Sequence, residues 1–573
     1  MIGAVRERAC RRHPTWRALA AIAFVGALAC HAVNAQTPIQ PQTNPGQVQK
    51  RIPQPGEIIR PLPELGVPAP APAPTAPELP LRFVLTGVVI DGATAIKADA
   101  LAPAYEDYLA REIGSAEIQK ILDKITAQYR DAGYFLSRAI APPQPLGLGI
   151  LHIKVIEGYV RRVVFPDLDA EREARFAGYF TRVVAEHPLK LATLERALLV
   201  VNDIPGLHID PRLEAVKDDP AAYDLSISVT RERLSGFASL DNRGTDSLGP
   251  WQTQLSGGIN STLLAFDRLQ LSVFDSINHP NELLSTELLY DAPLDHSGTR
   301  LTLSVARTHL LPGGKLAPLD VHATAMRYAA QITYPLLRTR AQSLWLAGGF
   351  DLLDSTERSA DTPLFDDHLR VLRGSFNYVG NDDAGNSNLA RFQLSQGLGF
   401  LGASSAGAPD LSRSNGRADF TKLEGSLTRE QIIVQNWGAQ FAVAGQKSFE
   451  PLLIAEQFPL GGASFGRGYD PAEIAGDDAL AGSVELRYGR PLANPVIRSY
   501  QFYGFYDIGM IWNVDAENLT PGRQSLASVG VGLRLALERN ISASLEIAKP
   551  LTRLVAAENG KPVRVFVSVA APF

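Results

Sequence analysis

The sequence predicts a mainly-β protein, a transmembrane β-barrel of about 16 strands preceded by two small α/β domains. Three observations lead there. First, the 573 residues are 45% hydrophobic and 20% charged, too apolar for disorder, yet the longest apolar run, 18–30, has only 13 residues. A membrane-spanning helix needs about 20. Second, beyond Arg231 the helical period vanishes, and apolar residues alternate with polar or small ones between turn residues. Third, a β-α-α-β-β pattern occurs twice between residues 81 and 230. At about 100–200 residues per domain, the length alone excludes one compact core. The net charge of −5 provides no global basic field for nucleic acid.

Residues 1–35 read as a signal peptide. Arg6, Arg8, Arg11, Arg12 and Arg17 precede the apolar centre, and Val33-Asn34-Ala35 precedes Gln36, which places the cut between Ala35 and Gln36. A rival cut at Leu28-Ala29-Cys30 resembles a lipoprotein signal, but Ala27 stands where that pattern prefers Leu. Both cysteines, Cys10 and Cys30, fall inside the removed segment. Zinc-cysteine sites, disulfides and thiol catalysis are then excluded together.

Residues 36–80 hold 13 of the 40 prolines and read as an extended periplasmic spacer, in which 45–50 forms one helical turn and no more. The first α/β domain, 81–158, opens with a strand over 83–90. Helices follow over 98–111 and 115–132. The second starts at an N-capping Ser115, keeps Ile118, Ile121, Leu122, Ile125 and Tyr129 on one face, and stops at Gly133. Strands over 136–140 and 150–156 complete the unit. The second domain, 159–230, repeats it with a strand over 159–165, helices over 170–186 and 193–202, and strands over 209–216 and 223–230.

In the barrel, 231–573, the alternation is clearest at Leu269/Leu271/Val273, Leu301/Leu303/Val305, Val484/Leu486, Val529/Val531/Leu533 and Val565/Val567/Val569. Charges such as Glu485 and Arg487 sit one step from Leu486, so they face a lumen while Leu486 faces lipid. Closure leaves no unpaired backbone in the bilayer. The chain ends on Phe573, with Val565, Val567, Val569 and Ala571 on the same face, which resembles the assembly signal of outer-membrane barrels; Pro572 beside it is unusual.

Three stretches make a family resemblance specific. They are 133–139 with Pro142-Pro143 and Val155-Ile156-Glu157-Gly158, then Ser239-Leu240-Asp241-Asn242-Arg243-Gly244, and Phe465-Gly466-Arg467-Gly468-Tyr469 with 482–488. Together they resemble the TpsB family of two-partner secretion transporters, the haemolysin activators and the filamentous-haemagglutinin transporter, with tandem polypeptide-transport-associated (POTRA) domains. The resemblance implies an outer-membrane translocator whose POTRA domains, in the periplasm, capture an unfolded exoprotein that the barrel then conducts without ATP. It implies a loop, about 449–478, folded into the barrel. Its tip motif Arg467, Gly468 and Tyr469 is held by an acid on the lumen wall, Asp507 of Phe505-Tyr506-Asp507-Ile508-Gly509. Strand parity puts Phe505, Asp507 and Gly509 on the lumen face. Family members carry a helix in the pore, and the short, proline-broken 45–50 segment departs from that pattern. The implied partners are a large exoprotein (adhesin, haemolysin or contact-dependent toxin), outer-membrane lipid, and periplasmic chaperones with the barrel-assembly machinery. No cofactor, metal or nucleic acid is expected.

Competing motifs read better as barrel structure. Gly462-Ala463-Ser464-Phe465-Gly466 matches a hydrolase nucleophile elbow, but no helix pattern follows it. Gly397-Leu398-Gly399-Phe400-Leu401-Gly402 matches a dinucleotide fingerprint, again without a helix to receive the pyrophosphate. Asp366-Asp367-His368 and Asp477-Asp478 are expected to be solvated loop acids. The alternatives to secretion are a barrel-assembly insertase of the same superfamily and, further off, a passive porin or a lipase fused to the barrel.

Overall fold

A computed structural model of the chain describes residues 40–52, 82–515 and 522–573. Residues 1–39, with the expected cleavage pair Ala35 and Gln36, and the proline-rich run 53–80 lie outside the described residues.

In the first small domain Ile150–Ile156 is the central strand, parallel to Gly87–Asp91 and antiparallel to Arg138–Ile140. Against it packs the helix Ser115–Asp131, with Ile118, Ile121, Leu122, Ile125 and Tyr129 all buried. Gly133, at φ +91°, ends it. Three local expectations need correction. The helix cap is Gly114, whose N–H is taken by the Glu117 carboxylate at 3.0 Å, and Ser115 is the first helical residue. The predicted helix over 98–111 is two 3-10 turns, Ala98–Ala104 and Glu106–Tyr108, with Pro103 removing a donor from any α-helical ladder. The predicted strand over 83–90 is two pieces, because Phe83–Val84 leaves the main sheet to pair with Glu112–Ile113.

Glu157 locks this domain. Its carboxylate accepts from Thr94 N at 2.7 Å, Ala95 N at 2.8 Å and Tyr129 Oη at 2.8 Å, and from the Thr94 hydroxyl. One side chain thereby ties the sheet, the 94–95 loop and the helix together.

The second domain repeats the topology, with Ala222–Arg231 central, parallel to Tyr159–Val164 and antiparallel to Leu207–Ala215. Its helix Leu191–Asn202 covers the sheet. The predicted helix over 170–186 is broken into Ala170–Ala177, a 3-10 turn Gly178–Phe180 and Thr181–Ala185. The break lies where the domain meets the barrel. There Phe266 packs edge-on against Phe176 at 4.6 Å, and Tyr179 meets His296 at 4.9 Å.

Sixteen antiparallel strands, from Leu234–Asp241 to Arg564–Pro572, close on themselves. Parity sorts their side chains. Leu271, Leu303, Leu486, Val531 and Val565 are exposed on the outside, whereas Glu485, Asp507, Ser528 and Glu546 are buried inside. The closing seam is short, pairing Ser568–Pro572 with Phe237–Asp241. Two extensions lengthen it. The Asn242 amide donates to Val565 O at 3.0 Å and accepts from Val567 N at 2.7 Å, and Phe573 exchanges backbone hydrogen bonds with Gly236 at 2.6 and 2.9 Å.

The segment 40–52 is not a spacer. It lies inside the barrel and forms the helix Pro45–Arg51, seven residues rather than one turn, with Asn44 Oδ1 capping Gln47 N at 3.1 Å. Val48 is buried against Leu248, Leu283, Leu310 and Ala323 of the barrel interior. The expectation of a single turn missed the start signal in Asn44-Pro45, an N-cap followed by a proline at the first helical position.

Burial pushes the Glu157 carboxyl up, but the donors from Ala95, Thr94 and Tyr129 outweigh it and hold the group below 4.5. A depressed acid contributes stability that is present above its unfolded value and lost as the pH falls through the folded one. Hydrogen-exchange protection in 83–158, corrected for the intrinsic pH dependence of amide exchange, should therefore fall as the pH drops below about 4.5. Glu157→Gln should destabilise the domain by about 1 kcal/mol at neutral pH and blunt that acid response.

Candidate functional site

Between the eleventh barrel strand, Trp437–Ser448, and the twelfth, Asp478–Pro491, the chain turns back into the lumen. Within itself it pairs as the short ribbon of Phe458–Leu460 with Ile474–Gly476, and a single bridge joins Leu452 to Arg417. Side chains must hold the rest. Arg467 sits at the tip, 6% exposed, against a fully buried Asp507. Its Nε donates to Asp507 Oδ2 at 3.0 Å and its Nη2 to Oδ1 at 2.9 Å, a two-pronged pairing. The same carboxylate accepts from the backbone N–H of Arg467 at 3.0 Å and of Gly466 at 3.2 Å, and from Ser483 Oγ at 2.7 Å. Asp507 thus binds the loop's side chain and its backbone together.

The guanidinium has further neighbours. Nη1 donates to Glu485 Oε2 at 2.7 Å and lies 3.7 Å from Glu546. The guanidinium carbon stands 3.4 Å from the centroid of the Phe505 ring, a cation–π contact in a site that excludes most water. Arg487 and Arg534 complete the shell of Glu485, each at 2.6 Å, while Arg243 and Tyr503 hold Glu546 at 2.8 and 2.9 Å. No charge in this group lacks an opposite partner.

The neighbouring tip residues serve close approach. A Cβ on Gly468 would stand 2.9 Å from the backbone of Lys549 and Pro550, and one on Gly509 would stand 2.8 Å from Leu460. Tyr469 is buried, its hydroxyl donating to Ala527 O at 3.1 Å and accepting from Arg553 N at 3.2 Å. The structure therefore brings Arg467, Gly468 and Tyr469 together with Phe505, Asp507 and Gly509. Phe573 lies far off at the closing seam and is 78% exposed.

A second ionic group links the loop to the pore helix. Glu456 is buried and pairs with Arg373 and Lys422, each at 2.8 Å, while Lys50 of the helix lies 3.7 Å away. The Gln47 amide donates to Ile454 O at 2.5 Å and to Gln457 O at 2.9 Å, and Arg51 donates to Pro471 O at 3.1 Å. The helix is thus hydrogen-bonded chiefly to the folded-in loop. Sequence reasoning missed Glu485, Glu546, Arg534 and Glu456 as members of these networks. Parity flagged Glu485 as a lumen charge without naming its partner.

The acid pairs are not solvated loops. Asp367 lies on the strand Thr362–Asn381, fully buried, and accepts from Ser412 N at 3.0 Å. Asp477 is fully buried against Arg413 at 2.5 Å, and Asp478 pairs with Lys447. Ser464 is exposed in a turn with no helix after it, and Gly397 ends the barrel strand Ser387–Gly397.

Two substitutions test the geometry. Gly468→Val should lift the tip from the wall, and Tyr469→Phe should remove its hydroxyl contacts at about 1–2 kcal/mol. Both should raise protease sensitivity and hydrogen exchange across 461–470 without loss of the heat-modifiable barrel band on gels.

The family described as haemolysin secretion/activation protein ShlB/FhaC/HecB matches residues 224–535, more than half of the chain, and the ShlB-type POTRA domain matches residues 83–158. Over 490 residues the chain is 25% identical to the heme/hemopexin transporter protein HuxB of Haemophilus influenzae (strain 86-028NP), covering 82% of this chain and 84% of that protein. It is 23% identical over 467 residues to the outer membrane transporter CdiB of Dickeya dadantii (strain 3937), covering 78% of each. Among solved structures, CdiB from Escherichia coli shares the fold with a TM-score of 0.68 at 18% identity, over 88% of this chain and 93% of that one. A family match that runs from the end of the second small domain across most of the barrel leaves one reading. The chain belongs to the haemolysin secretion/activation (TpsB) family, as an outer-membrane transporter of two-partner secretion with its POTRA domains in the periplasm.

Proposed function

We propose that the loop held by Arg467 and Asp507 is the working part of this transporter, keeping the lumen in an export-competent arrangement while the POTRA pair hands over an extended cargo. The observation that carries this reading is the pairing of one buried guanidinium with two wall carboxylates, one of which, Asp507, also binds the loop backbone. In the same reading Ala35–Gln36 is the signal cleavage site and Phe573 the assembly signal, read by periplasmic chaperones and the barrel-assembly machinery. The cargo is a large unfolded exoprotein of the adhesin, haemolysin or contact-dependent toxin kind. Its backbone adds to a POTRA sheet edge, Arg138–Ile140 or Leu207–Ala215 being the free antiparallel edges. In this reading the chain works as a transporter and not as an enzyme, and Ser464→Ala should leave export intact.

Breaking a buried pair by removing one member costs about 3–5 kcal/mol. Arg467→Ala and Asp507→Ala should therefore abolish export while the barrel still inserts. Arg467→Lys should be impaired, since lysine lacks the flat fork that fits Asp507. The readout is cargo released to the medium alongside heat-modifiability. Normal export by Asp507→Ala, or lost export by Ser464→Ala, contradicts this assignment.

Purified 82–231 should bind an unfolded N-terminal cargo fragment by isothermal titration with micromolar-range affinity. Equal binding of an unrelated extended peptide removes the claim of selectivity, and absence of heat removes the capture role.

A further inference from the structure

We infer that a cleft between the second POTRA domain and the barrel's first periplasmic turn binds the phosphate of a phospholipid from the inner leaflet of the outer membrane. The cleft, of about 370 Å³, is lined by Arg172, Arg175 and Phe176 of the helix Ala170–Ala177, by Arg231, and by the turn 261–266. Three guanidinium groups line it and no carboxylate does. Arg172 and Arg175 also touch acids of their own helix, Asp169 at 3.4 Å and Glu171 at 2.7 Å, but these pairs are solvent-exposed and exchange readily for a better acceptor. Arg231 has no ion pair among the described residues. Phosphate matches the guanidinium fork in the same two-pronged way as a carboxylate.

The turn is built to present apolar side chains beside those charges. The Asp267 carboxylate accepts from the backbone N–H of Thr262, Leu263 and Leu264 at 2.5, 2.9 and 2.8 Å, and from Tyr290 Oη at 3.0 Å. Phe266, held at φ +69°, packs into the POTRA core, while Leu263 and Leu264 remain 76% and 59% exposed. On the flanking strands Leu255, Ile259 and Leu271 are exposed on the lipid face. The apolar surface therefore continues from the barrel wall to the turn and then meets arginine. That is the order of acyl chain and phosphate in a bilayer leaflet, and it selects a lipid over a soluble anion. A lipid bound there fixes the second POTRA domain to the membrane beside the barrel mouth.

The test is native mass spectrometry of the full-length protein in detergent, with phosphatidylglycerol as the probe and inorganic phosphate and diacylglycerol as separate arms. The wild type should retain phosphatidylglycerol against millimolar phosphate. The triple variant R172Q/R175Q/R231Q should bind about 100-fold more weakly, which corresponds to ~3 kcal/mol for three arginines near a charged surface. Arg231→Gln alone and L263S/L264S should each lose severalfold, so the claim stays testable if the triple variant misfolds on the heat-modifiability gel. Arg161→Gln, paired elsewhere with Asp224, should bind as wild type. Equal binding by the folded arginine variants overturns the site. Displacement by inorganic phosphate makes it a free-anion site, and equal binding of diacylglycerol makes it a purely apolar one; either result overturns the inference.

Discussion

A guanidinium confined in a protein lumen must find acceptors for its donors, and much of this structure follows from how Arg467 finds them. A folded-in loop with one short ribbon of strand pairing cannot satisfy its own backbone. Asp507 solves both problems at once, because one carboxylate takes two side-chain donors of Arg467 and the backbone donors of Gly466 and Arg467. Glu485 and Glu546 then balance the arginines that gather from the other strands. Asp507 and Glu485 share Arg467, and Glu485 also serves Arg487 and Arg534, so the charges are linked into one network rather than into separate pairs.

The barrel makes such a group possible. Strand parity sends Tyr506 and Ile508 to the lipid side and Phe505, Asp507 and Gly509 to the lumen, so charge and apolar surface are separated by a single residue step. Closure depends on a short seam, strengthened by the Asn242 side chain standing in for backbone and by the terminal Phe573 pairing with Gly236. The pore helix adds a second tie on the loop. Its glutamine and arginine side chains bond to loop carbonyls, and Lys50 approaches Glu456, which Arg373 and Lys422 already neutralise. Glu456 therefore keeps two close cations that do not belong to the helix.

The architecture was legible in the sequence because its signals are periodic. Alternation announced the barrel, and the Ile118–Tyr129 face announced the helix. The Arg467–Asp507 juxtaposition came from the loop motif together with strand parity. Its other partners were not legible. Glu485, Arg534 and Glu546 lie on three different strands, and which lumen residues meet depends on the barrel's stagger, which no local pattern encodes. The pore helix was underestimated for another reason. Residues 40–52 contain few apolar positions, and their burial rests on hydrogen bonds from Gln47 and Arg51 that hydrophobic periodicity does not register. Where a single residue intervened, as with Pro103 in the 3-10 turns, type was misread though position was not.

The central claim is that Arg467 and Asp507 act as one interaction holding the loop inside the barrel. A double-mutant cycle on unfolding of the membrane-inserted protein tests it directly, comparing Arg467→Ala, Asp507→Ala and the two combined. The account predicts strong non-additivity, with the double variant little worse than either single one and a coupling of about 2–3 kcal/mol. Additive losses, with coupling near zero, would contradict it.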